Sequence, residues 1–131
     1  MNPVLFLDTH ALYWHLFEPA KLSIPASQAI GEGEAGKAIL VVYYVVLAEL
    51  FFLLQKHKKE TQFPTALALL QGNPNYRIEP IALEDIERLS LYPEVTEMHD
   101  RLIVAATNRL AASLISKDQN IKASPQVKCL W

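Results

Sequence analysis

Val4-Leu5-Phe6-Leu7-Asp8-Thr9 is the stretch that decides how this chain is read. Four apolar residues in a row stop at a carboxylate, and the helix-spaced set Ala11, Leu12, Trp14, Leu16 and Phe17 follows at once. A strand without a polar face is buried on both sides, the habit of parallel sheets covered by helices. In such sheets ligands gather outside the carboxyl ends of the strands. Asp8 is therefore the first candidate for the wall of an active site.

Working outward, the same strand-then-helix grammar repeats. The first helix closes at Glu18-Pro19, because proline disfavours helix in the residue before it. Ser23 or Ser27 can cap a second helix running through Ile30 and dissolving into Gly31-Glu32-Gly33. Ile39 to Tyr44 is β-branched and aromatic and reads as a second buried strand. Val46 to His57 reads as a helix, with Lys56, Lys58 and Lys59 at the end that favours cations. A helix over Thr61–Leu70 stops at Gly72-Asn73-Pro74, and Tyr76–Ile81 is a strand kept near an edge by Pro80. Leu83–Leu91 is a short helix, and Thr96 can cap a long one from Glu97 to about Ala111. Strands over Ser113–Ser116 and Gln126–Trp131 complete the pattern. Alternating strands and helices predict an α/β fold with a central, mainly parallel sheet of four to five strands, as a single domain over residues 1–131.

Composition narrows the chemistry. With 131 residues, 51% of them hydrophobic, there is enough material for one core and no signature of disorder. Twelve basic and 14 acidic residues give a net charge of −2, so any contact with nucleic acid must come from a local basic patch or from metal ions. The lone Cys129 excludes an internal disulfide and fits a reducing compartment. The apolar run Ala38–Leu54 falls short of the roughly 20 residues that cross a bilayer, and it contains Glu49. Met1–Pro3 carries no basic leader. A soluble, cytoplasmic protein with no membrane partner is expected.

Four carboxylates stand out by position. Asp8 and Asp118 each follow a strand, Glu49 lies near the start of the helix after the second strand, and Asp100 lies in the first turns of the helix before the fourth. Strand carboxyl ends and the helix starts after them share one edge, so Asp8, Glu49 and Asp118 point to a common rim. Asp100 joins them only if the loop Tyr92–Thr96 carries its helix start there. Singly, each has a structural explanation: Asp8 and Asp118 as caps, Glu49 as a helix-start acid, Asp100 as a partner of Arg101 or Arg109. Jointly they would repel one another, a cost that a hard divalent cation such as Mg²⁺ removes.

The motifs Leu7-Asp8-Thr9-His10-Ala11-Leu12 with Trp14, Ala48-Glu49-Leu50, His99 through Thr107, and Leu114-Ile115-Ser116-Lys117-Asp118 occur in order over Val4–Trp131. In this the chain resembles the PIN-domain family, and within it the VapC-like toxins of toxin–antitoxin pairs. The resemblance implies a three-layer α/β/α fold and a Mg²⁺- or Mn²⁺-dependent endoribonuclease. It implies that Asp8, Glu49, Asp100 and Asp118 are catalytic metal ligands, supported by Thr9 and by Ser116, which orients the cluster. It also implies an RNA substrate, a cognate antitoxin protein and a homodimer. One departure is Tyr43-Tyr44-Val45-Val46, where many relatives carry a serine or threonine that contacts the helix acid.

Lys117, Arg101 and Lys56–Lys59 can guide an RNA backbone or can be solvated helix ends. His10 is placed to line the groove. His15 and His57 read as plain helix residues, and His99 should point about 100° away from Asp100. Tyr13, Trp14, Phe17, Phe51 and Phe52 offer more apolar surface than two small helices need, which suits either an antitoxin helix or the core. The competing readings are a PIN nuclease of RNA processing outside any toxin pair, a degenerate PIN binding module, and a phosphorylated receiver-type domain. The last lacks the acidic neighbour that Asp8 would need.

Overall fold

The computed structural model describes residues 2–131. Its first strand, β1 (Val4–Leu7), lies at the middle of a five-stranded sheet whose pairs are all parallel. The other strands are β2 (Ile39–Tyr43), β3 (Tyr76–Glu79), β4 (Ser113–Ile115) and β5 (Cys129–Leu130), in the order β3-β2-β1-β4-β5. Successive residues Phe6 and Leu7, Leu40 to Val42, and Leu114 and Ile115 are all fully buried. Since neighbours on a strand face opposite sides, helices must cover both faces.

The chain steps outward from β1 to β2 to β3, then returns to lay β4 on the other flank of β1. The sheet therefore reverses its winding beside β1, and the crevice opened there is where α/β sheets bind ligands. Register brings Leu7 opposite Ile115, and the Asp8 amide donates to the Ile115 carbonyl at 3.2 Å, so the ends of β1 and β4 are fastened together.

Among the described residues, seven α-helices accompany the sheet: α1 (Thr9–Phe17), α2 (Ile24–Glu34), α3 (Tyr44–Lys56), α4 (Phe63–Gly72), α5 (Leu83–Glu87), α6 (Met98–Arg109) and α7 (Gln119–Lys122). None among the described residues is long and apolar enough to cross a membrane. Several boundaries differ from the sequence expectation. Ser23 caps α2, which runs through its glycines to Glu34. Gly33 is not a breaker there: a Cβ on it would lie 2.5 Å from the Leu40 side chain, so the glycine lets helix and sheet approach.

Helix α3 begins at Tyr44 with no intervening loop, because Tyr43 is pinned at the strand end by its buried ring and a hydroxyl bond to Asp85 (2.7 Å). Glu97, not Thr96, caps α6. The last strand shrinks from Gln126–Trp131 to Cys129–Leu130, an edge strand with one neighbour.

Candidate active site: an acidic rim at the switch point

Asp8 sits where β1 becomes α1 and engages both its oxygens. Oδ1 accepts from the Ala11 amide (2.9 Å), capping α1, while Oδ2 accepts from the Ser116 hydroxyl. Ser116 is fully buried and also accepts from the Asp118 amide at 3.0 Å, tying the end of β4 to both aspartates. Asp118 in turn caps α7, accepting from the amides of Asn120 (2.8 Å) and Ile121 (3.2 Å). Capping and membership of the rim therefore coexist in both residues.

Glu49 approaches from α3, and Thr9 Oγ1 donates to its Oε1 at 2.7 Å. Thr9 thus supplies the polar contact that Tyr43–Val46 cannot. Asp100 arrives from the first turn of α6, carried there by Arg101. That guanidinium turns away from the rim and donates to the backbone carbonyls of Val95 (2.6 Å), Leu89 (3.4 Å) and Pro93 (3.5 Å). Arg101 is therefore a brace of the preceding loop rather than a guide for RNA. Arg109, the other partner considered for Asp100, pairs with Asp85 and Glu79.

All four acids line one open cavity of about 530 Å³. Burial pushes the Asp8 carboxyl up from its ordinary range, outweighing the Ser116 and Ala11 hydrogen bonds that favour its ionised form. Asp100 is pushed up to about 7, first by burial and then by the charges of Asp118, Glu97, Glu49 and Asp8. Among the described residues, no lysine or arginine pairs with any of the four. Hard carboxylate oxygens with unrelieved mutual repulsion are the donor chemistry that a divalent cation with retained waters requires. No three histidine, cysteine, aspartate or glutamate side chains among the described residues form a closed metal cluster. Ser116 and the Ala11 amide hold Asp8, Thr9 and His99 approach Glu49, and the Asn120 and Ile121 amides hold Asp118 instead.

Two further wall residues have no site role in the sequence reading. Glu97 lines the cavity, accepts from the Asp100 amide (2.8 Å) and lies 3.2 Å from His99 Nδ1. His99 lines it too, with Nδ1 3.6 Å from Glu49 Oε2, contrary to the expectation that it faces elsewhere. The cavity opens over the helix start, so side chains about 100° apart can both border it. An acid and a histidine clustered just before Asp100 were the available signal. His10 and Lys56 also line the cavity. Lys59 packs over Tyr13 and Phe17, His57 stacks on Tyr13, and His15 pairs with Glu34. Of the five aromatics considered as a docking surface, only Phe52 is largely exposed, and it stands in the cavity wall.

Comparison with known proteins agrees with this architecture. The chain is 30% identical, over 137 residues covering all of both proteins, to a Mycobacterium tuberculosis protein named ribonuclease VapC22. Among solved structures, the Rickettsia felis VapBC2 complex bound to a promoter DNA fragment superposes with a TM-score of 0.77 at 17% identity, covering 98% of each chain. The Mycobacterium tuberculosis VapC20 toxin, described as cleaving the sarcin–ricin loop, superposes at 0.63 with 16% identity, covering 95% of this chain and 98% of that one. A family model for the PIN domain matches residues 5–125, and the chain belongs to that family.

Proposed function

We propose that this protein is a Mg²⁺- or Mn²⁺-dependent endoribonuclease acting as the toxin of a toxin–antitoxin pair that inhibits translation or growth. The observation that supports this reading is the convergence of four carboxylates from four chain segments on one cavity, where among the described residues no lysine or arginine is paired with them. Asp8, Glu49, Asp100 and Asp118 would hold one or two cations. Bound there, the metal supplies charge neutralisation at the phosphate and a more acidic attacking water.

The chain's own residues do the positioning. Ser116 fixes one Asp8 oxygen and Thr9 fixes one Glu49 oxygen, so neither acid has to be ordered at the moment of reaction. A rim carboxylate takes the proton of the attacking water. Lys56, in the cavity wall, offers the backbone phosphate a cation. The toxin assignment draws on the relatives, which include a ribonuclease by name and a toxin–antitoxin complex by fold. An antitoxin and a homodimeric state follow from the same family reading, with exposed Phe52 at the cavity as the nearest apolar contact for the antitoxin.

The test compares wild type with Asp100→Asn. Wild type is expected to cleave RNA only with Mg²⁺ or Mn²⁺ and to arrest growth when induced in a bacterial host. Loss of one principal metal ligand should lower cleavage by at least about a hundredfold and restore growth. Undiminished cleavage by Asp100→Asn would overturn the site. Cleavage in vitro without growth arrest would instead favour a PIN nuclease of RNA processing.

A further inference from the structure

A second recess of about 310 Å³ adjoins the acidic cavity and shares Asp8, His10 and Asp118 with it; its other walls are Trp14 and Lys117. The Trp14 indole is half-buried and touches two tilted rings. His10 stands 5.4 Å away at an interplanar angle of 54°, and Trp131 stands 5.6 Å away at 55°. Lys117 Nζ lies over the Trp14 ring, 5.6 Å from its centre, and among the described residues it is the only lysine or arginine lining this recess.

A ring immobilised by its neighbours loses little freedom when another ring stacks on it. A flexible cation over it, beside a row of acids that repel phosphate, marks where a polyanion can be held. Together these are the elements with which proteins take single-stranded nucleic acid: an aromatic face for a splayed base and an ammonium for its backbone. A paired base, stacked inside a duplex, cannot reach such a face.

We propose that Trp14 and Lys117 form a nucleotide subsite beside the acidic rim, in which an unpaired RNA base next to the scissile bond stacks on the indole while the lysine holds its phosphate. This inference rests on the ribonuclease reading above and adds to it the demand for an unstacked nucleotide at one position.

The experiment uses single-stranded oligoribonucleotides in which one nucleotide at a time around the cleaved bond lacks its base. In wild type, one abasic position should raise KM about tenfold and leave kcat less affected. In Trp14→Leu the same abasic nucleotide should cost no more than about twofold, because the platform is already gone, while Trp14→Phe keeps part of the penalty. Lys117→Met should raise KM for every substrate and flatten its dependence on salt. An equal abasic penalty in wild type and Trp14→Leu overturns the subsite and leaves the ribonuclease reading standing. Absence of any cleavage by wild type removes that reading and the subsite with it. If Trp14→Leu does not fold by circular dichroism, Trp131→Phe leaves Trp14 as the sole tryptophan. A base-bearing oligonucleotide should then quench its fluorescence and an abasic chain should not; equal quenching overturns the proposal.

Discussion

Two groups of buried or half-buried carboxylates lie in this protein, and they are treated in opposite ways. At the end of β3 and on α5, Glu79 is nearly buried and Asp85 fully so. Arg109 donates to Asp85 through Nε (2.6 Å) and Nη2 (3.2 Å) and to Glu79 through Nη1 (3.0 Å). The Tyr43 hydroxyl and the Ala82 amide complete Asp85, and Arg77 completes Glu79. Burial alone would raise the Asp85 carboxyl, but Arg109, Tyr43 and the amide together bring it below the usual carboxylate range. At the rim, no arginine or lysine among the described residues pairs with Asp8 or Asp100, and both shift upward. A carboxylate that the fold neutralises holds the structure together. Carboxylates left crowded and unneutralised are kept for something that arrives from outside.

The sharpest break of this contrast is Arg109→Met. It strands Asp85 and Glu79 as uncompensated buried acids and should cost roughly 3–5 kcal/mol in urea unfolding. A loss below about 1 kcal/mol would mean that the network is not structural.

Asp100→Asn should act in the other direction in metal-free protein. A carboxyl near 7 in the fold and 3.8 in the unfolded chain binds more protons when folded, so stability falls as pH rises from about 4 to 7. The variant should therefore be more stable than wild type by about 1–2 kcal/mol at pH 8, after discounting for solvent screening and the helix dipole. That gain should vanish near pH 4. Asp85 has the opposite sign: its contribution is present above its unfolded value and is lost on acidification through its depressed folded one. A pH-independent gain in Asp100→Asn would contradict the repulsion.

The smallest effect separates orientation from charge. Thr9→Val keeps shape and removes the hydroxyl that orients Glu49. Stability should change by no more than about 1 kcal/mol, while cleavage falls about tenfold. Unchanged cleavage would show that Glu49 needs no such support.

The two regions also differ in how far the sequence disclosed them. The rim is legible because its logic is local: an apolar strand ending at Asp8, another ending before Asp118, and Glu49 on the helix that follows β2, where it falls in the second turn rather than the first because α3 starts at Tyr44. What stayed hidden depends on distant partners. Arg101 brings Asp100 to the rim by gripping three carbonyls of the preceding loop, and no periodicity announces such a grip. Arg109 invited pairing with nearby Asp100, yet its partners lie on β3 and α5. Thr9 stands 40 residues from the acid it supports. Gly31 and Gly33 look like a break in the sequence, yet α2 runs on to Glu34, and Gly33 serves the contact with Leu40.

The central claim is that the unneutralised rim holds a divalent cation. Titration calorimetry with Mn²⁺ at pH 6.5, in two buffers of different ionisation heat, tests it directly. Wild type should bind Mn²⁺ and release protons as Asp100 gives up the one it holds below about pH 7. Asp100→Asn should bind at least about tenfold more weakly and release fewer protons. Equal binding by the two proteins, or none by wild type, would contradict the account.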